Sequence, residues 1–410
     1  MARMTSTTRT TTENRKVTNM SDEVRQLATV QKIKALLPIE NADKIVLAEF
    51  DSIGWRCIVN KDEFKVGDLA VYCEIDSVLP DVSDYEFLRK RCFVDNGVVK
   101  GMRIRTLKLK SQLSQGICFP MNTGALKDST KKFKEGDDIT ALMNIIKYES
   151  PEAPKQPEQA PKKFWKRMIW RFKKLFPKEK RGRFPNWLPQ TDEIRIQNYP
   201  DAYKKNKGNV FYITEKLDGS SASYAINKNR FWVMSRTMVR KIDKISKFFS
   251  FVKRFAPKVN RTVRNEWVDN GVWERIATEY SLKEKLMLLN RNIAIQGEIV
   301  GEGIQKNKSG IKGVKFFCFG AYDIDKQKYL NYDEWKQMMS ELNITMVPLI
   351  TDSYVLSENT TVDELVKMAE GTSVMDDTPR EGIVFRLVND EGRKVSFKAI
   401  NNEFLLKHGE

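Results

Sequence analysis

The sequence predicts an α+β fold in two parts, a small antiparallel β-barrel followed by a larger domain of antiparallel sheets flanked by helices. Three observations carry this. Short β-patterned runs broken by turn clusters fill the first part, helical and strand periods mix from about Thr191 onward, and a Pro-rich then basic stretch separates them. The 410 residues are enough for two domains with cores of their own. With 41% hydrophobic and 30% charged residues the balance is that of a folded, soluble chain. No apolar run of about 18 uncharged residues marks a membrane span.

Taken in order, residues 1–23 are Ser/Thr/Arg-rich without an apolar pattern and read as a disordered tail, an organelle-targeting peptide being the competing reading. Residues 24–125 carry the runs "LATVQKIKALL", "KIVLAEF", "WRCIVNK", "LAVYCEI" and "GMRIRTLKLKSQLSQGICF". Turn clusters at Glu40–Asp43, Lys65–Asp68 and Pro80-Asp81 break them. Four to six short strands in about 100 residues make a small barrel, and an OB-fold is the leading candidate. Its aromatics Phe50, Trp55, Phe64 and Tyr72 suit either the barrel core or a nucleic-acid-binding face.

Residues 126–190 read as a linker, "SPEAPKQPEQAP", followed by a basic amphipathic helix. Phe164, Met168, Phe172 and Leu175 fall at near-helical spacing, as do Trp165, Ile169 and Phe176, up to Pro177. Between Lys162 and Arg183 there are eleven Lys/Arg and one Glu. A second basic stretch runs from Arg240 to Arg264, and the two together hold about the whole positive excess of the chain, +17. Charge so localised suggests a polyanionic partner, either nucleic acid or, as a peripheral contact of the basic helix, an acidic membrane surface. Lys162, Lys163, Lys166, Arg167, Arg171, Lys253 and Arg254 are the expected nucleic-acid contacts. Residues 191–410 form the second domain, with "GVWERIATEYSLKEKLMLL" as a helix and "NIAIQGEIV", "GVKFFCFGAYDI", "EGIVFRL" and "KVSFKAI" as strands.

Composition narrows the chemistry. Cys57, Cys73, Cys92, Cys118 and Cys318 are odd in number and form no C-x-x-C, which argues against a disulfide framework or zinc ribbon and for a reducing, intracellular compartment. Histidine occurs once, at His408. Histidine-based triads and two-histidine zinc sites lose their central residue. Lysine, arginine, carboxylates and oxygen-bound metal ions must carry any reaction.

One ordered set of segments suits that inventory. "EKLDGSS" puts Lys216 at the end of a strand and Asp218-Gly219 in a turn. Downstream come Ser235-Arg236, Gly297-Glu298 inside a strand, the aromatic strand "FFCFGAYDI", Glu381-Gly382 opening "EGIVF", and Lys398 in "SFKAIN". This series resembles the covalent nucleotidyltransferases, the DNA ligases, RNA ligases and mRNA capping enzymes, whose first motif is Lys-x-Asp-Gly. "IQGEIVGEGIQ", "SRT", "TDEIRIQN" (Thr191–Asn198) and the N-terminal barrel resemble the ATP-dependent RNA ligases of the Deinococcus–Naegleria type. About a dozen residues follow Lys398, too few for the C-terminal OB domain of capping enzymes and most DNA ligases.

The resemblance implies a nucleotidyltransferase (ATP-grasp-like ligase) domain and a three-step reaction that seals 3′-hydroxyl/5′-phosphate nicks. Lys216 would take AMP from ATP, AMP would pass to the RNA 5′-phosphate, and the 3′-hydroxyl would then displace it. Lys216, Lys398, Glu298 and Glu381 would be catalytic, with a role in RNA repair on nicked RNA or RNA/DNA duplexes, by a monomer. ATP contacts would come from Arg195, Thr214, Glu215, Lys216, Arg236, Glu298, Glu381 and Lys398, with Tyr322 or Phe319 stacking on adenine. Alternation along a strand lets both rings enter one pocket only if the strand bulges. Asp218, Glu298 and Glu381 would bind Mg2+ or Mn2+, which favour hard oxygen ligands. Many relatives have two lysines in the last motif; here Ser396 stands at the first, and Lys394 lies two residues upstream. A DNA ligase and a catalytically silent nucleic-acid-binding protein are the alternatives.

Overall fold

The computed structural model describes residues 26–127, 129–148, 182–199, 204–244, 271–308, 310–389 and 395–408. The expected tail, the basic helix, nearly all of the second basic stretch, and Lys162, Lys163, Lys166, Arg167, Arg171, Lys253, Arg254 and Lys394 lie outside the described residues.

The N-terminal part is a barrel of two antiparallel sheets. The first orders β10-β4-β1-β2-β3, from β1 (Ala28–Pro38), β2 (Ile45–Phe50), β3 (Arg56–Asn60), β4 (Leu69–Cys73) and β10 (Ile117–Pro120). The second orders β11-β5-β7-β6, from β5 (Ser77–Leu79), β6 (Phe93–Asp95), β7 (Lys100–Arg103) and β11 (Ile146–Lys147). A hairpin, β8 (Leu107–Leu109) and β9 (Gln112–Ser114), stands beside them. Alternating apolar residues face inward: Val30, Val71, Leu79, Met102 and Phe119 form one cluster, and Ile33, Ala48, Trp55, Tyr72 and Ile75 another.

Two features refine the expected barrel. Phe50, Trp55, Phe64 and Tyr72 are all buried, so these aromatics are barrel core and not a nucleic-acid face. The barrel also extends past residue 125. Leu126, Ile139, Met143 and Ile145 pack into its core, and β11 pairs with β5, because their apolar side chains complete a cluster the earlier strands leave open.

The C-terminal part has two facing sheets. One orders β12-β22-β21-β13-β20, from β12 (Ile194–Arg195), β13 (Val210–Lys216), β20 (Leu349–Val355), β21 (Gly382–Leu387) and β22 (Ser396–Ile400). The other orders β16-β15-β14-β17-β18-β19, from β14 (Ser220–Asn227), β15 (Arg230–Ser235), β16 (Val239–Lys244), β17 (Ile293–Gly301), β18 (Val314–Asp323) and β19 (Lys328–Tyr329). All pairings are antiparallel except β12 with β22. Helix Tyr332–Glu341, closed at its start by a capping box between Asn331 and Glu334, buries Trp335, Met338 and Met339 against the second sheet. The stretch expected as one helix is two, Val272–Glu279 and Leu282–Met287, because Ser281 adopts a left-handed conformation between them.

The two parts share a packed seam. Ile400 and Leu405 of the second join the barrel cluster around Trp55. The Gly54 N–H donates to Gln197 O at 2.9 Å, Arg56 pairs with Asp363 at 2.7 Å, and Gln115 donates to Asn402 at 3.1 Å.

Candidate active site

β13 ends on Lys216, and its register against β21 sets Lys216 opposite Gly382, which brings Glu381 alongside. The Lys216 Nζ donates to Glu381 Oε1. The chain then turns through Asp218-Gly219 into β14, whose Ser221 lies opposite Glu298 of β17. The turn needs glycine. A Cβ at Gly219 would fall 2.4 Å from Ile299 O and 2.8 Å from Glu298 Cγ, so β14 and β17 could not pack this closely with any side chain there.

Three carboxylates therefore surround one amine. Burial alone would lower the proton affinity of Lys216, but the charge of Glu381, its hydrogen bond, and the charges of Glu298 and Asp218 outweigh it and hold the amine above its ordinary value. Burial pushes Glu298 up to about 8, with Glu381 and Asp218 adding like-charge repulsion against Lys216 and Arg236. Burial and Glu381 push Asp218 up to about 6, although Lys308 and Lys216 oppose them. Among the described residues no three such groups stand close enough to chelate a metal directly. Yet Glu381 Oε2 is buried without a hydrogen-bond partner, and the donors are hard oxygens. That set fits a divalent cation held partly through water.

A second cluster carries cations. Arg236 pairs with Asp192, and Lys147 lies 3.9 Å from the same carboxylate. Burial would raise Asp192, but Arg236, Lys398 and Lys147 outweigh it and keep the carboxyl below the usual range. Arg195 is the register partner of Lys398 across the parallel β12–β22 pair. Its guanidinium lies 3.8 Å from Asp76 of the barrel and 5.7 Å from the Trp55 ring. Behind these, Ser396 donates to Glu193, which pairs with Arg386 at 3.1 Å. Arg386 also donates to Thr214 Oγ1 at 3.1 Å. Ser396 thus serves a buried polar network.

The structure brings Lys216, Asp218, Glu298 and Glu381 together with Arg236 beside them, and it joins Lys398 to Arg236 through Asp192. Other expected residues stand elsewhere. Alternation turns Glu215 to the opposite sheet face from Lys216, where its carboxylate accepts from the Val374 N–H at 2.8 Å. Tyr322 is enclosed with Leu188, Met234 and Val239 and meets Tyr329 edge-on, because the segment through Trp187 and Leu188 covers that part of the sheet. The strand does bulge: Gln296 pairs with Gly320 and Gly297 with Cys318, leaving Phe319 as the extra residue. Phe319 lies 5.5 Å from the Arg386 guanidinium and borders a cavity with Tyr212, Tyr332 and Trp335. The aromatic residue directly across from Glu298 is Phe317, and opposed residues share a face. Sequence reasoning passed over Phe317, Asp192, Glu193, Lys147 and Lys308. A glycine inside a strand, here Gly320, is the signal that marks a bulge and would have moved the choice to Phe317.

Comparison with known proteins agrees with this geometry. A family model described as an OB-fold domain matches residues 27–121, and the RNA ligase family model matches residues 209–400. The solved Naegleria gruberi RNA ligase with PPi is 33% identical, with a TM-score of 0.75 over 94% of this chain and 99% of its own. A lysine-to-methionine variant of that enzyme, with AMP and Mn, is 32% identical at a TM-score of 0.75, over 94% and 99%. A lysine-to-alanine variant with ATP and Mn is 31% identical at 0.74, over 93% and 99%. No curated protein sequence matches the chain. With 33% identity to a solved RNA ligase over 94% of this chain and 99% of that one, and an RNA ligase family model matching residues 209–400, the chain belongs to the RNA ligase family.

Proposed function

We propose that the protein is an ATP-dependent RNA ligase that seals 3′-hydroxyl/5′-phosphate nicks through a lysyl-AMP intermediate on Lys216. The observation that carries this is the Lys216 amine on Glu381, backed by Glu298 and Asp218, with Arg236 acting on Glu298 and Lys398 acting on Asp192, the partner of Arg236. In the first step Nζ attacks the α-phosphorus of ATP; an N–P bond forms, the P–O bond to pyrophosphate breaks, and pyrophosphate leaves. AMP then passes to the RNA 5′-phosphate, and the 3′-hydroxyl displaces it to form the phosphodiester.

The resting lysine is an ammonium and must lose a proton first. Its hydrogen bond runs to Glu381, so that carboxylate is placed to receive it. Arg236, Lys398 and Arg195 supply positive charge for the phosphate oxygens as charge rearranges. Phe317, on the Glu298 face, supplies a surface for adenine to stack on. Asp218, Glu298 and Glu381 would hold a divalent cation such as Mg2+ or Mn2+, which would lower the proton affinity of the amine and neutralise phosphate charge. The Naegleria structures with ATP, AMP and Mn support this assignment. The barrel faces the same cleft through Lys147 and Asp76 and is the proposed grip on the strand bearing the 3′ end. Among the described residues no helix is long and apolar enough to cross a membrane, and the protein is proposed to act as a monomer.

Incubation with α-labelled ATP and a divalent metal, followed by denaturing electrophoresis, tests the reading. Wild type should carry label and Lys216→Ala none. A labelled mutant removes Lys216 as nucleophile. Nucleic-acid binding without label on wild type would favour a silent binder, and equal sealing of nicks with DNA or RNA at the 3′ terminus would favour a DNA ligase.

A further inference from the structure

We propose that Lys308, on the loop after β17, is a positioning residue for the lysine-adenylylation step: it holds the Asp218 carboxylate away from the Lys216 amine. This rests on the ligase reading above. Lys308 Nζ lies 3.0 Å from Asp218 Oδ2, with only 11% and 13% of the two side chains exposed. The ammonium also lies 5.0 Å from the ring centre of Phe404, in the C-terminal helix Asn402–His408. A lysine buried to this extent is uncommon and is tolerated when a counter-charge meets it.

The loop is bent to deliver it. Gln305, Lys306 and Asn307 all have left-handed backbone, with φ of 43°, 62° and 47°. Each such non-glycine residue is strained and persists only where the surroundings fix it. Here they do. The Asn307 side chain accepts from Ile311 N at 3.1 Å and donates to Ile311 O at 3.0 Å, and Glu302 N donates to Gly313 O at 2.8 Å. The Lys308–Asp218 pair then ties the loop, the Lys216 turn and the C-terminal helix together.

The consequence follows from position. Asp218 is two residues from Lys216, and the two charges attract. Without Lys308 the other lysine whose charge acts on Asp218 is the nucleophile itself. A second carboxylate drawn onto Nζ would turn the amine from the α-phosphorus and compete with Glu381 for it. Lys308 gives Asp218 another partner and leaves Lys216 with one contacting carboxylate.

The prediction is selective for a step. Lys216 is the nucleophile in lysyl-AMP formation and is not one when a pre-adenylylated nick is sealed. Lys308→Met should slow labelling by α-labelled ATP about tenfold at saturating ATP, with KM within roughly twofold. Sealing of a pre-adenylylated nick should stay within about threefold of wild type, which also shows that the variant is folded. Lys308→Arg, which can still pair with Asp218 over Phe404, should recover most of the labelling rate. Equal slowing of both steps would make Lys308 merely structural and overturn the proposal, as would unchanged labelling or failure of arginine to rescue. Absence of label on wild type would sink the ligase reading as well; labelled wild type with an unaffected Lys308→Met would sink this proposal alone.

Discussion

Glu298 shows how one side chain links stability to chemistry. Its carboxyl is pushed up to about 8 by burial and by the charges of Glu381 and Asp218, against the pull of Lys216 and Arg236. A folded value above the unfolded one means the native protein binds this proton more tightly. Stability from this group is therefore lost as pH rises from about 4.5 through 8. Glutamine cannot ionise, so Glu298→Gln should raise the Tm of the ligand-free protein clearly at pH 8 and little at pH 5. The same variant should fail to form lysyl-AMP, because its charge is missing when ATP and the cation arrive. A Tm gain independent of pH would mean that Glu298 is already ionised in the free protein. This pattern, an active-site group that weakens the free protein and serves the loaded one, is expected where function and stability compete.

The turn between β13 and β14 makes the corresponding case for an element. Lys216, Asp218 and Glu298 converge because β14 packs directly on β17 at Gly219, where a Cβ would meet Ile299 O at 2.4 Å. Gly219→Ala should push the two strands apart, costing about 1–3 kcal/mol in urea unfolding. It should reduce lysyl-AMP formation by a larger factor than that stability loss reduces folded protein. Unchanged stability would show that the turn can move without strain. These strand-borne features were legible in the sequence: Lys216, Glu298 and Lys398 sit at strand positions that a β ladder brings into register, and Glu381 immediately precedes β21. What was not legible depends on departures from the ladder. At the bulge on Phe319 the register of β18 steps by one residue, so that Phe317 and not Cys318 stands opposite Glu298. The left-handed residues before Lys308 and the irregular approach to Asp192 leave no periodic trace at all.

Between the two halves, the seam at Trp55 was invisible to sequence reasoning, since an aromatic in a barrel pattern reads alike whether it faces the core, a ligand or a second domain. In the structure Trp55 is 1% exposed, and its indole N–H donates to Asn198. Asn198 follows β12, the short strand that sets Arg195 beside Lys398. Docking of the barrel thus supports β12, the strand that carries Arg195 and pairs with the strand of Lys398, and Asp76 of the barrel lies 3.8 Å from Arg195. Trp55→Ala removes the ring and the hydrogen bond together and should cost about 3–5 kcal/mol. Calorimetry should then resolve two transitions, one for each half, where wild type gives one. Trp55→Phe keeps most of the packing but leaves the Asn198 carbonyl without its donor; it should cost about 1–3 kcal/mol and retain a single transition. The ATP concentration for half-maximal lysyl-AMP formation should rise in Trp55→Ala more than in Trp55→Phe, because only the first frees β12. Two transitions already present in wild type, or one undisturbed transition in Trp55→Ala, would mean that the halves are not coupled through this residue.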